Sequence, residues 1–157
     1  MIVIIISFIL DNIISNLINY YSIFYPLFTL LSLVLIYPHF NKKSKKYFIC
    51  TFIFGFIYDI SVTDTLFLNA FIFLLLAYLL KYTFNKLTYN YLSVLLLSLG
   101  AIIYYRAVNF LILVVINYLS FNIGLLFKSI YCSIILNVIY ISVYYLINSK
   151  RLIFKRR

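Results

Sequence analysis

Three aspartates, one histidine, two cysteines and one arginine far from every basic cluster are the residues of this chain whose chemistry stands out from an apolar background. Asp59 and Asp64 lie close enough in sequence to share a proton, and two such carboxylates can divide acid and base roles as an intramembrane aspartyl dyad. His39 is the single histidine, and no Gly-x-Ser-x-Gly turn is present to supply a serine nucleophile. Cys50 and Cys132 stand inside apolar runs, where a disulfide or metal site would need a polar setting and further ligands, so both read as packing residues. No catalytic residue, cofactor or metal is expected. Structural duties fit the carboxylates better. Asp64 follows Thr63 and precedes the run from Leu66, which places it to cap the orphan amides of a helix starting there. Asp59 ends the preceding helix, where the macrodipole disfavours an anion, so it needs a cation or several donors. Asp11 poses the same problem inside the first apolar run, to be solved by protonation or by pairing.

The elements that carry these residues are long uncharged stretches. Hydrophobic residues make up 66% of the chain, well above the usual share of a soluble domain, and Lys and Arg outnumber acidic residues 13 to 3. The basic residues cluster: Lys42, Lys43, Lys45 and Lys46, then Lys81 and Lys86, then Lys150, Arg151, Lys155, Arg156 and Arg157. Short loops rich in Lys and Arg stay cytoplasmic, so the alternation predicts six spans with both termini inside. The spans fall at about 2–18, 26–40, 47–60, 66–80, 90–118 and 127–147. The predicted class is an all-α, polytopic six-transmembrane-helix membrane bundle, a single domain over 1–157 with a short basic tail at 148–157. The first run lacks a basic leader and a small-residue cleavage site and is expected to remain as a span. A net charge of +10 would ordinarily suggest nucleic acid. Here the charge sits in short loops and a tail with no basic helix face, so the expected partners are anionic lipid headgroups and not nucleic acid. A homo-oligomer is compatible with the pattern. His39 reads as an interfacial residue beside the Lys loop.

Spans 3 and 4 are short. At 1.5 Å per residue each covers only ~22 Å of a hydrocarbon core ~30 Å thick, so the link from Asp59 to Thr65 is expected below the outer surface, in a polar dent or a locally thinned bilayer. Span 5 is long and offers Gly100 for a close contact, while Arg106, Asn109, Leu113 and Asn117 share one face that must point into the bundle. Span 6 repeats the device with Ser129, Ser133, Asn137, Tyr140 and Tyr144, whose small hydroxyls and amide suit close helix packing. Arg106 lies ~24 Å along its helix from the inner end, in the outer part of the core. A guanidinium at that depth needs a partner, and Asp59 ends helix 3 at a similar level, so an Arg106–Asp59 pair is expected, with Asn69 and Asn109 adding hydrogen bonds.

The stretch Gly55-Phe56-Ile57-Tyr58-Asp59-Ile60, followed after a polar turn by Phe67-Leu68-Asn69 and then Ala77-Tyr78, resembles the bacterial rod shape-determining family MreD. In that family a Gly precedes an Asp by four residues at the end of the third apolar run, a Leu-Gly-Leu-His/Asn element opens the fourth, and a Gly-Tyr pair follows. Gly55, Asp59, Asn69 and Tyr78 match. Pro26 before span 2, Asn137 in the last span and the basic tail extend the resemblance, so that it covers most of the chain from about Tyr25. Phe67 and Ala77 stand where the family usually has Gly, and Pro26 lacks the Arg and Asp that often flank it. The resemblance implies a non-enzymatic inner-membrane component of the cell-elongation machinery, partnering MreC and, through the wider complex, MreB filaments, RodA and its penicillin-binding transpeptidase. It implies no cofactor.

Other membrane classes fit less well. Signal peptidase II has a similar length, but its second Asp belongs to a Phe-Asn-x-Ala-Asp element, and Phe121-Asn122-Ile123-Gly124 lacks that carboxylate. CDP-alcohol phosphotransferases need several metal-binding aspartates. The substrate-binding component of an energy-coupling-factor vitamin transporter is the alternative reading, since such proteins are also six-helix membrane domains of this length and MreD is similar to them in fold. Their first helix usually presents an Ala-x-x-x-Ala surface, whereas residues 2–18 contain no Ala or Gly.

Overall fold

A computed structural model describes residues 2–17, 26–40, 44–63, 65, 67–84 and 90–154, with side chains at 16, 17, 44 and 148–154 not described. Asp64, Lys42, Lys43, Lys86, Tyr20, Tyr21 and Tyr25 lie outside the described residues. The described chain is all helical: α1 (Ile2–Leu17), α2 (Phe28–Ile36) continued by a 3-10 turn (Tyr37–Phe40), α3 (Ser44–Tyr58) continued by one π-helical turn (Asp59–Thr63), α4 (Leu68–Phe84), α5 (Tyr91–Val115) and α6 (Ile123–Phe154). Three stretches are long and apolar enough to cross a membrane, Lys45–Thr63, Tyr91–Val115 and Ile123–Ile147. Three further apolar helical stretches are shorter: Ile2–Ser15, Phe28–Phe40 and Leu68–Phe84.

The shortest helix occupies the centre. Its sequence, FTLLSLVLI, is apolar all round, the pattern of a helix enclosed on every side, and all of its residues are buried. It packs against α1, α4, α5 and α6. At 1.5 Å per residue α2 is only ~14 Å long, so both of its ends fall inside the protein and need partners there. At the C-terminal end the Tyr47 hydroxyl of α3 donates to the Leu33 carbonyl at 2.9 Å, one of the carbonyls a helix end leaves over. Tyr37 then turns edge-on to Tyr47 (5.0 Å) and stacks on Phe84 (4.9 Å), closing that end of the bundle with rings.

The other helices each turn one stripe inward. On α1 this is Ile4, Ser7 and Asp11, spaced by three and four residues, while Ile2, Ile5, Ile6, Ile9 and Ile13 remain exposed as a surface suited to lipid. On α6 it is the predicted stripe: Ser133, Asn137 and Tyr144 are buried and Ser129 and Tyr140 half-buried. The predicted α5 face holds for Arg106, Asn109 and Leu113, all half-buried. Asn117 departs from it: α5 ends at Val115, and Asn117 lies exposed in the following turn with φ 56°. Gly100 was expected at a close contact but is exposed, and a Cβ there would meet nothing within 4 Å. The reason is orientation, since Val94, Ser98, Ala101, Ile102 and Tyr105 form the buried stripe of α5 and Gly100 lies off it.

Candidate functional site

Two helices begin inside this protein, and an aspartate from the preceding helix meets each of them. Asp11, fully buried on α1, accepts from the backbone amides of Phe28 (2.9 Å, Oδ1) and Thr29 (2.7 Å, Oδ2) at the start of α2. Asn137 of α6 completes the cap: its Oδ1 accepts from Leu27 N at 3.0 Å, and its Nδ2 donates to the Ser133 carbonyl at 2.6 Å. Leu27 itself offers no side-chain cap. The carboxylate thus sits at the positive end of α2, where dipole and orphan amides both favour negative charge. Neither protonation nor an ion pair is required to explain Asp11. Nearby, Ser7 Oγ and the Tyr140 hydroxyl are joined at 2.6 Å, and the Tyr140 ring stacks on Phe28 at 4.7 Å, so α1 and α6 grip the first turn of α2 from two sides.

Asp59 does the same for α4, with more donors. Its Oδ1 accepts from Asn69 N (2.9 Å), Asn69 Nδ2 (2.9 Å) and Thr65 Oγ1 (2.6 Å), and its Oδ2 accepts from Ala70 N (3.0 Å). Although Asp59 ends α3, the π-helical turn carries the chain round so that its side chain faces the opposite kind of helix end. The expected need for several donors is met in this way, and Asp59 caps the Asn69 and Ala70 amides of α4; Asp64, the residue expected to cap this helix, lies outside the described residues. Asn69 is the hub. Its Nδ2 also donates to Thr63 Oγ1 at 2.9 Å, and its Oδ1 accepts from the Tyr105 hydroxyl of α5 at 2.8 Å. Thr63 and Thr65 are joined at 2.9 Å, and because Thr65 gives its proton to Asp59, Thr63 is the donor of that pair. Asn109 lies beside the Tyr105 hydroxyl.

Gly55 explains how the cap is reached. It stands one helical turn before Asp59 on the same face of α3, and a Cβ built on it would lie 2.6 Å from Ala70 Cα and 2.9 Å from the Asn69 carbonyl oxygen. Only a glycine lets α3 touch the backbone of the two residues whose amides Asp59 then takes. Phe67, just before α4, has φ 62°, the left-handed region that glycine enters most easily.

The expected Arg106–Asp59 pair does not form. Among the described residues the hydrogen bonds to Asp59 come from Thr65, Asn69 and Ala70, and Arg106 turns to the neighbouring helix, its Nε donating to Ser133 Oγ at 2.8 Å. Ser133 in turn donates to the Ser129 carbonyl at 2.8 Å. Side-chain direction decides this outcome, since depth along a helix says nothing of azimuth. The remaining candidates are placed as follows: Tyr78 is 67% exposed on the outer face of α4, Cys50 and Cys132 are buried, and His39 is exposed at the end of the 3-10 turn. Asp64 lies outside the described residues. Tyr105, Ser7 and Tyr140 were missed as partners; a tyrosine within an apolar run, needing a place for its hydroxyl, was the available signal. Among the described residues no three His, Cys, Asp or Glu side chains gather at one point.

The glycine contact, the aspartate cap and the asparagine hub fall on the residues that carried the resemblance noted in the sequence. The family model described as rod shape-determining protein MreD matches residues 1–150. The chain belongs to the MreD family. That family is one of shape-determining structural proteins, which gives this chain a role in determining rod shape. No match is found among curated proteins or among solved structures. In MreD terms, the Gly-x-x-x-Asp element and the Asn of the next helix are two halves of one joint between α3 and α4. Phe67, where the family usually has Gly, is the position whose backbone conformation suits Gly.

Proposed function

We propose that this MreD-family chain is a non-enzymatic scaffold of the cell-elongation machinery in the inner membrane. It crosses six times with both termini cytoplasmic and holds an MreC-like protein directly. Through that complex it associates with MreB filaments, RodA and its penicillin-binding transpeptidase. The observation that carries the reading is the family match over residues 1–150. Two features are in keeping with it. Six helical stretches are apolar, and basic clusters mark alternate connections. The buried side chains of Asp11, Asp59, Asn69 and Asn137 each bond from one element to the next, as suits a scaffold. No observation favours the transporter reading.

Depletion in a rod-shaped bacterium that carries this protein tests the role. Cells are expected to round up as the protein is lost, and a tagged copy is expected to co-purify with an MreC-like protein from detergent extracts. Rods of normal dimensions after complete depletion contradict the proposal, and so does a purified complex that lacks the MreC-like protein while retaining the synthases.

A further inference from the structure

A row of aromatic rings runs along the outside of the α3–α4 hairpin. Phe56 stacks on Phe67 at 5.0 Å, Phe52 meets Phe71 edge-on at 6.5 Å, and Lys81 Nζ lies over the Phe48 ring at 5.8 Å. Phe48, Phe52 and Phe56 recur every four residues and so form one line. That line is ~12 Å long at 1.5 Å per residue, most of the ~15 Å that one leaflet contributes to the hydrocarbon core. Phe48, Phe52 and Phe56 are half-buried, while on α4 Phe67 is 46% and Phe71 59% exposed and Leu75 continues the exposed face.

Among the described residues, the positive charge beside this row lies at one end. Lys45 stands one turn before Phe48 on the same line, Lys46 is its neighbour, and Lys81 reaches the same level from the last turn of α4; all three are exposed. Tyr78 is exposed on α4 at that level, where a ring that is apolar on one side and wet on the other is stable in a headgroup region. The described carboxylates, Asp11 and Asp59, both act at the opposite end, on the starts of α2 and α4. A cationic cluster continued by an apolar ladder of leaflet depth is complementary in shape and charge to an anionic phospholipid.

We propose that the α3–α4 seam binds one diacyl anionic phospholipid, with its phosphate among Lys45, Lys46 and Lys81, the Tyr78 hydroxyl beside the ester region and an acyl chain along Phe48, Phe52, Phe56 and Phe71. The attraction of Lys81 to the Phe48 ring holds its ammonium over the head of the seam. The inference depends on membrane insertion and is independent of the part played in cell elongation.

Native mass spectrometry of the full chain in a neutral detergent, titrated with dioleoyl phosphatidylglycerol, counts the lipids held. One phosphatidylglycerol is expected to stay bound where phosphatidylcholine with the same chains is lost, and glycerol phosphate should fail to displace it. Lys45→Gln with Lys81→Gln should weaken retention roughly tenfold or more, since each lysine near an anionic surface contributes appreciably. Lys128→Gln, an exposed lysine of α6, should leave retention unchanged, and Lys45→Arg with Lys81→Arg should preserve it. Equal retention of phosphatidylcholine, displacement by glycerol phosphate, undiminished binding by the glutamine variant or loss of binding in the arginine variant would overturn the proposal.

Discussion

Asp59 and Asn69 share a dense set of hydrogen bonds, and the energetics of that point follow from what each removal leaves behind. Asp59→Ala strands the Asn69 and Ala70 amides and one proton of the Asn69 side chain, at a cost on the order of 3 kcal/mol. Asn69→Ala deprives the Tyr105 hydroxyl and Thr63 of their partner as well. Because the two residues share bonds, their losses should not add: a double-mutant cycle read by thermal unfolding in detergent is expected to show a coupling of roughly 0.5–3 kcal/mol. Strict additivity would contradict the geometry. Phe67 supplies a second test. Its positive φ costs an ordinary residue about 1 kcal/mol or more, and Phe67→Gly relieves that strain while Phe67→Ala keeps it, both losing the ring contact with Phe56. Phe67→Gly is therefore expected to unfold at a higher temperature than Phe67→Ala, and the reverse order would show that this backbone position is not left-handed.

The joint between α3 and α4 is where the sequence was most legible. Gly55, Asp59 and Asn69 stand at spacings that put a close approach and a carboxylate on one helix face, and the structure uses all three together. What sequence spacing could not supply was azimuth between elements. It located Arg106 and Asp59 at similar depth yet left open which way each side chain turns, and Arg106 turns to Ser133. It likewise read Asp11 as a charge needing neutralisation, because the helix end it caps belongs to residues 17 and 18 positions further on in the chain. Element limits were less affected: α6 begins at Ile123 and runs to Phe154, beyond the apolar window at 127–147, since helix continues through Asn148, Ser149 and the basic residues that follow. At this scale the glycines give a matched pair of variants. Gly55→Ala forces a methyl against the Ala70 backbone and should cost about 1–3 kcal/mol of stability. Gly100→Ala enters open space in a helix and should be neutral or stabilising by about 0.5–1 kcal/mol. Equal unfolding temperatures for the two variants would show that α3 and α4 do not meet at Gly55.

For the whole molecule, the two buried caps and the basic clusters lead to one arrangement. The starts of α2 and α4 and the turn between α5 and α6 lie toward one end of the bundle, while Lys45, Lys46 and Lys81 lie toward the other. Positively charged connections belong on the cytoplasmic side, so the capped ends should face outward and both chain termini inward. This orientation underlies the proposed scaffold role, because it sets which surfaces of the chain are open to cytoplasmic partners and which to partners outside. Its most direct measurement is labelling of single cysteines by a membrane-impermeant maleimide in intact cells, with Cys50 and Cys132 replaced by Ala. Asn117→Cys, exposed in the turn after α5, should label from outside, whereas Asn90→Cys, exposed at the start of α5, should label only after the membrane is permeabilised. Labelling of Asn90→Cys in intact cells, or protection of Asn117→Cys until permeabilisation, would contradict the account.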